Sequence, residues 1–231
     1  MLNNETIKFL KGINSITNSI ALQYPITVGR TESADIAYMF DLSKLDTDGF
    51  DDSLGIYNLS SFLNVFSLFS DSREITLTDN IISVSDENTT ANYLLSDLDI
   101  LSPFAFKKEQ FIKNDEFPTV LELKLTSNDL KKIKNASSVF DDLDTVMISC
   151  DENTTFSLTK VGEFKLSTNS FKFTKPEKST KNFKISLSLN TISKIPVVDY
   201  TLVVKYNAER NSYRVILNSE NLTLVLCTKN V

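Results

Sequence analysis

The sequence predicts an α+β fold built from two similar domains, each with two helices packed on antiparallel sheets. The main observation is a pattern that recurs four times: a short amphipathic helix followed by two β-type runs joined by an Asn/Asp turn. A length of 231 residues fits one large domain or two ordinary ones, and four units favour two. We therefore predict domains over residues 1–95 and 119–231, joined by a connector over residues 96–118 that contains Pro103 and Pro118.

The recurring pattern assigns each helix and strand to a place in the chain. The helices are predicted over Asn4–Thr17, Asn58–Phe69, Ser127–Phe140 and Asn190–Ile195. The paired runs are Ala21–Val28 with Ala34–Leu42, Glu74–Thr78 with Ile81–Ser85, Thr145–Cys150 with Thr155–Thr159, and Tyr200–Tyr206 with Ser212–Asn218. Two more strands are predicted at Val120–Leu125, where apolar and polar residues alternate, and at Leu222–Cys227.

The helices divide into an apolar stripe and a polar face at the helical period. In the first helix the stripe comprises Ile7, Leu10, Ile13 and Ile16, and the opposite face carries Asn4, Lys8, Lys11 and Ser15. The second has the stripe Leu59, Phe62, Leu63, Val65, Phe66 and Phe69 and a face of Ser60, Ser61, Asn64 and Ser67. The third has the stripe Leu130, Ile133, Ala136 and Phe140, with Lys131, Asn135 and Ser138 outward and Lys132 and Lys134 on the flanks.

Local signals place the helix starts and the turns. Thr126 or Ser127 is expected to cap the third helix, with Asp129 in the first turn, where the helix dipole favours it. Only five glycines are present, so the turns must rely on Asn and Asp, which tolerate left-handed backbone. Asn80, Asn153 and Asn207 are the candidates for such positions.

Charge is segregated between the helices and the loops. The chain has 30 acidic residues and a net charge of −6, yet the predicted helices contain only Glu5 and Asp129, both in first turns. For any one helix, a face of Lys, Ser and Asn indicates no more than solvent exposure. Taken together, four helices without outward carboxylates are typical of surfaces that face phosphate. Such a surface needs a local basic patch, because the whole molecule repels nucleic acid.

Several kinds of chemistry are excluded by composition. The chain has no histidine, the commonest general base, and no nucleotide-binding glycine loop. Cys150 and Cys227 lie in apolar runs and are predicted to be buried thiols in a reducing compartment. The acid pairs Asp51-Asp52 and Asp141-Asp142 could bind a cation or act in catalysis, but adjacent loop acids are more often solvated. The sequence therefore predicts a binding or structural protein, not an enzyme, with no cofactor.

The N-terminal region and hydropathy predict a cytoplasmic location. The chain runs from its first residues into a polar helix, so no signal peptide is expected. No apolar stretch approaches the length of a membrane span, so no membrane partner is expected.

Three stretches resemble the sliding clamps of T4-type bacteriophages, the processivity factors of replicative DNA polymerases. They are Thr6–Thr17, Ile56–Leu68, and Phe117-Pro118 with the strand and helix that continue to Phe140. They are patterned structural segments, so the resemblance rests on their extent and order.

The resemblance implies a DNA clamp fold in a head-to-tail homotrimeric ring, with helices lining a channel around duplex DNA. The residues implied to meet phosphates are Lys8, Lys11, Lys131, Lys132, Lys134, Lys194 and, at the rim, Arg30. The implied partners are double-stranded DNA, DNA polymerase, a clamp loader ATPase and other copies of the chain, in the cytoplasm of a phage host. The partner pocket is unassigned; Phe104, Phe106 and Phe111 are guesses from the connector.

An alternative function remains open. The Asn/Ser/Thr-rich composition also suits a β-rich phage structural or assembly protein that does not encircle DNA. The two hypotheses differ over the carboxylate-free helix faces, which assembly does not require.

Overall fold

A computed structural model describes residues 2–45, 53–104, 108, 109, 111, 116–160 and 169–230. The chain forms two compact units. The first comprises Met1–Ser33 and Ala37–Lys107, and the second comprises Ala34–Ile36 and Lys108–Val231. The finer division into residues 1–95, 96–118 and 119–231 stays a prediction, because part of the proposed connector lies outside the described residues.

The first unit contains two α-helices and seven strands among its described residues. In chain order they are α1 (Asn4–Ile13), β1 (Ile20–Leu22), β2 (Ile26–Arg30), β3 (Ile36–Asp41), β4 (Leu54–Ile56), α2 (Leu59–Phe66), β5 (Glu74–Thr78), β6 (Ile81–Ser85) and β7 (Thr90–Leu94). Short 3-10 helices span Leu42–Lys44 and Leu98–Phe104. All strand pairs of this unit are antiparallel: β1 with β4, β2 with β3, and β6 between β5 and β7.

The second unit contains two α-helices and nine strands among its described residues. In chain order they are β8 (Thr119–Leu125), α3 (Ser127–Val139), β9 (Thr145–Cys150), β10 (Thr154–Thr159), β11 (Phe171–Lys175), β12 (Phe183–Ser188), α4 (Leu189–Lys194), β13 (Tyr200–Asn207), β14 (Ser212–Asn218), β15 (Leu222–Leu226) and β16 (Lys229–Asn230). One antiparallel sheet has the order β11-β10-β9-β12-β16, and another contains β15-β14-β13-β8. The fold class is therefore α+β, as predicted.

The recurring unit is larger than the sequence pattern indicates. Each α-helix is followed by three strands, not two, and α2, α3 and α4 are each preceded by one more. The prediction missed β7 because it is polar and half-exposed. It missed β11, although Phe171 and Phe173 alternate with polar residues, because the predicted unit has only two strands. It also merged β1 and β2 into one run, although the chain turns between them at Pro25, which has no N–H to donate to a ladder.

Side-chain caps fix where the helices begin. Asn3 accepts a hydrogen bond from the Thr6 N–H at 2.8 Å, and Asn58 accepts one from the Ser61 N–H at 2.8 Å. Thr126 caps α3 in a capping box, because the Asp129 carboxylate accepts the Thr126 N–H at 3.0 Å in return. The helix ends lie one to four residues before the predicted ends, most clearly for α1, which stops at Ile13.

All three turn predictions are wrong in detail. Among the described residues, left-handed backbone occurs at Ala34, Asp79 and Asn211, not at the three asparagines predicted from the sequence. Asn207 instead accepts a hydrogen bond from the Arg210 N–H at 3.2 Å through its side chain. This Asx interaction starts the turn without positive φ at Asn207 itself.

The predicted apolar stripes form the cores, although Val65 and Phe140 are only half-buried. Ile7, Leu10, Ile13 and Ile16 are all buried in the first unit, as predicted. In the second unit, residues of α3, α4 and both sheets line a single void of about 10 Å³, so the helices pack directly on the strands. Cys150 is buried, but Cys227 is exposed, so the prediction that both thiols are buried is wrong for Cys227. The apolar run ends at Leu226, one residue before it.

Candidate nucleic-acid interface

The outward face of α1 carries two neighbouring cations. Lys8 and Lys11 are exposed and lie three residues apart, so their side chains leave the helix on the same face. Glu5 is exposed three residues before Lys8, at the first turn, where the helix dipole favours a carboxylate, and the remaining residues of the helix contain no acid. Like charges at this spacing disfavour an isolated helix by roughly 0.2–0.5 kcal/mol, so solubility alone does not favour the arrangement.

The outward face of α2 is neutral, and one of its side chains, Ser60, forms hydrogen bonds within the first unit. The Ser60 hydroxyl lies 3.0 Å from the Asn18 side-chain oxygen and accepts a hydrogen bond from the Asn14 amide at 3.1 Å. These contacts tie the start of α2 to the end of α1. Ser61 and Asn64 remain exposed beside them. The unit therefore presents a continuous polar surface with its positive charge on α1.

The outward face of α3 repeats the pattern in the second unit. Lys131 and Lys132 are exposed, and Asn135 and Ser138 are exposed further along the same helix. The helix contains one acid, Asp129, and its carboxylate points away from this face. Its Oδ2 atom lies 2.6 Å from the Lys175 ammonium of β11. Lys131 and Lys132 therefore have no competing carboxylate from their own helix.

The Asp129 carboxyl is held in its charged form. Burial raises the pKa of this carboxyl, but hydrogen bonds from Lys175 and Thr126 outweigh it, and the pKa lies below the ordinary 3.8. The side chains of Asp129 and Lys175 are only 11% and 19% exposed. The pair thus joins α3 to the sheet that contains β11 and is part of the scaffold behind the outward face.

Lys134 is engaged within the protein. Its ammonium donates hydrogen bonds to the carbonyl oxygens of Ser193 at 2.9 Å and Ile195 at 2.6 Å. These carbonyls belong to the C-terminal end of α4, where the helix dipole attracts a cation. Burial lowers the pKa of the Lys134 ammonium from its ordinary value. Lys134 therefore connects α3 to α4 and is half-buried.

Lys194 is also paired. Its ammonium lies 3.1 Å from the Asp35 carboxylate, which also accepts the Thr191 hydroxyl at 2.8 Å. Sequence reasoning missed Asp35, because it lies 159 residues before Lys194 and within a run predicted as strand. No local pattern could have identified this contact.

Arg30 lies within a strand. It is the last residue of β2, two residues beyond the end of the predicted run Ala21–Val28, and its side chain is exposed. Its neighbour Gly29 is buried against Tyr38 of β3, where an added Cβ would meet the phenol ring. This close approach fixes the end of the hairpin from which Arg30 projects.

The other candidate groups give no competing site. Within the described residues, no three Cys, Asp or Glu side chains are grouped to hold a metal ion, and no helix is long and apolar enough to cross a bilayer.

Asp142 accepts a hydrogen bond from the Asn169 amide at 3.1 Å, whereas Asp51 and Asp52 lie outside the described residues. Of the suggested pocket residues, Phe111 is buried, Phe104 ends a 3-10 helix, and Phe106 lies outside the described residues.

This arrangement of helices and sheets matches solved structures of replication clamps. Proliferating Cellular Nuclear Antigen from Entamoeba histolytica aligns with a TM-score of 0.69 at 16% identity, covering 97% of this chain and 95% of that one. The chain has the DNA clamp fold. The A. fulgidus PCNA bound to the C-terminal region of FEN-1 shares this fold at a TM-score of 0.66 and 11% identity, with coverage of 97% and 95%.

The bacterial clamps share the fold over part of their length. The Helicobacter pylori beta clamp bound to a DNA ligase peptide aligns with a TM-score of 0.60 and 13% identity over 97% of this chain. The aligned region is 63% of the bacterial protein, so this chain spans less than two thirds of that clamp. No protein-family model and no curated protein matches the sequence.

Proposed function

We propose that this protein is a sliding clamp, a head-to-tail homotrimeric ring that encircles duplex DNA and tethers a replicative DNA polymerase. The observation that carries the proposal is the outward face of α1 and α3, where four exposed lysines stand among Ser and Asn and Glu5 is the one exposed carboxylate of the two helices. That pattern occurs on a clamp fold in a protein whose net charge is −6. An assembly protein would have no need to exclude acids from these helices.

The lysines that carry the DNA contacts in this proposal are Lys8, Lys11, Lys131 and Lys132. All four are exposed at helix surfaces, so their long side chains can reach phosphates without fixing one register. Contacts to phosphate position a protein on DNA but carry no sequence information. The resulting attraction is non-specific and salt-dependent, which is compatible with sliding.

Two of the six helix lysines are left out of the direct phosphate contacts in this proposal. Lys134 and Lys194 contribute positive potential from within the second unit, but their ammonium groups are already bonded to α4 carbonyls and to Asp35. We assign them to holding α4 in place, and we assign Arg30 to a peripheral contact. Direct phosphate contacts are assigned to the four exposed helix lysines.

The mechanism in this proposal is topological. A ring around DNA keeps the polymerase near the primer end, which raises its effective concentration without new contacts at its active site. The sequence contains no nucleotide-binding glycine loop, so ring opening is assigned to a separate clamp loader ATPase. The ring, its phage origin of the T4 type and its location in the host cytoplasm belong to the same proposal. The peptides bound in two of the solved clamps support docking of short partner segments.

DNA affinity measured across a range of salt concentrations tests the lysine assignment. We compare the double variant Lys131→Gln/Lys132→Gln with Lys184→Gln/Arg210→Gln, which removes the same charge from exposed positions outside the helices. Each lost phosphate contact should reduce the slope of log affinity against log salt by about 0.9. The slope of the helix variant should therefore fall by about twice this amount per protomer, and the slope of the control should not change. Equal slopes in the two variants would show that α3 does not face DNA.

A further inference from the structure

The two halves of the chain carry opposite charge. Residues 1–95 contain 13 Asp and Glu against five Lys and Arg, a net charge of −8. Residues 119–231 contain 12 against 16, a net charge of +4. The overall value of −6 conceals this polarity, which bears on how copies of the chain meet.

The acidic half lacks exposed cations near its three-stranded sheet. Residues 45–106 contain 11 acidic residues and one basic residue, Arg73. The Arg73 side chain is 6% exposed, donates to the Ser70 carbonyl at 3.0 Å and packs over the Phe66 ring. It also lies 3.6 Å from the exposed Asp71 carboxylate, so it offsets one of the 11 acids and leaves the surface strongly negative.

The β5-β6-β7 sheet presents this charge together with unsatisfied edges. Glu74 and Glu87 are exposed at one end, on either side of a cleft of about 710 Å³ with a polar lining. β5 and β7 each pair only with β6 among the described strands, so their outer backbone groups have no strand partner there. Leu94 is 71% exposed and lies opposite Ile81, so the sheet also presents an uncovered apolar pair.

The basic half presents a sheet of the opposite sign. Strands β9, β10, β11, β12 and β16 contain four lysines and no carboxylate. Lys175 points inward to Asp129, whereas Lys172, Lys184 and Lys229 are exposed. β11 is an edge of this sheet among the described strands, and the exposed Lys178 follows it closely.

We infer that the acidic β5-β6-β7 sheet of one copy docks against the basic β11 edge of a second copy, and that opposite charge makes this association head-to-tail. The inference rests on the proposed ring and adds what holds and regulates it. Like charge opposes contact between two acidic sheets or between two β11 edges, so the isologous dimer is disfavoured. Head-to-tail contact instead attracts and, when the rotation closes, forms a ring.

A simpler explanation for the edge lysines is that they prevent random strand pairing. Lysine on an exposed edge is a common protection against aggregation. Under that explanation, salt would not weaken self-association, because it screens the repulsion between like-charged edges, and edge glutamates would protect as well as edge lysines. Under the inference, self-association weakens as salt screens the charges, because the Debye length falls from about 10 Å at 0.1 M to about 3 Å at 1 M.

Native mass and sedimentation of the full chain over a salt series test the inference. We expect trimers at about 0.05 M salt and a dissociation constant at least about tenfold higher at 0.5 M. Glu74→Lys/Glu87→Lys and Lys172→Glu/Lys178→Glu should each weaken the trimer by about tenfold or more at low salt. The control Lys184→Glu/Arg210→Glu matches the second variant in charge. Lys184 is on β12, three strands away from the β11 edge, and Arg210 lies outside this sheet, so the control should leave the trimer intact.

Combining the two reversals in one chain separates charge complementarity from damage to the fold. The quadruple variant restores opposite signs, so it should recover the trimer, whereas a misfolded sheet would not recover. A trimer that ignores salt and all the reversals overturns this inference and leaves the ring standing. A monomer at every salt concentration overturns the ring as well.

Discussion

Lysines three residues apart on α3 have different roles. Lys131 is exposed, whereas the Lys134 ammonium bonds to carbonyls 59 and 61 residues further along the chain. The helical period placed Lys131 on the polar face and Lys134 beside it, which agrees with their exposed and half-buried positions. It could not show that another helix ends beside Lys134, because the contact depends on the tertiary fold. Lys194 and Asp35 show the same limit, since helix periodicity contains no information about a distant carboxylate.

Substitution at Lys134 should affect stability more than substitution at Lys131. Lys134→Met removes two hydrogen bonds from a cation to the carbonyls at the end of α4, so we expect a loss of about 1–2 kcal/mol. Lys131→Met removes no such contact and should change the free energy of unfolding by less than about 0.5 kcal/mol. Chemical denaturation of both variants measures the difference. Equal stability would mean that Lys134 does not hold α4.

At the scale of elements, sequence periodicity identified the helices well and the strands in part. The buried stripes of α1 and α3 follow from a 3.6-residue period, and β5, β6, β9 and β14 have the predicted bounds. The missed strands have physical reasons. β7 is a polar edge strand and β4 has only three residues, so neither shows clear alternation. β12 does alternate between apolar and polar residues, but it falls outside the two-strand unit that the repeat predicted. The third strand after α2 and after α3 was therefore not visible as part of the repeat, whereas β3 and β15 were predicted.

The Asp129–Lys175 pair should make the attachment of α3 to β11 dependent on pH. The folded-state pKa of Asp129 is below 3.8, so its contribution is complete above that value and is lost as pH falls through the lower, folded pKa. Asp129→Asn should cost about 1–3 kcal/mol at neutral pH, because Lys175 loses its partner.

Denaturation of the wild type and of Asp129→Asn between neutral and strongly acidic pH measures this contribution. The difference between the two proteins should be constant above about pH 5 and should shrink below pH 4, because only the wild type has a carboxylate to protonate. A difference that persists at the most acidic pH would assign the cost to packing.

At the scale of the whole molecule, the clamp fold and the distribution of charge together favour encirclement over assembly. The α+β class follows from the repeated amphipathic segments, and the clamp fold was predicted from the resemblance of three stretches to phage clamps. The division of the lysines into four exposed and two engaged could not be predicted, because it depends on how α4 and Asp35 pack. The alternative of a phage assembly protein shares the fold but predicts no dependence on DNA topology.

The most direct test of encirclement uses linear duplex DNA tethered to beads by one end, so that no loader is required. The protein is added at low salt, where a ring can thread over the free end, and that end is then closed with a bulky protein. After washing with excess competitor DNA at low salt, we expect protein on closed DNA, little on open DNA, and release when the closed duplex is cut. Equal loss of the protein from closed and open DNA would contradict the account.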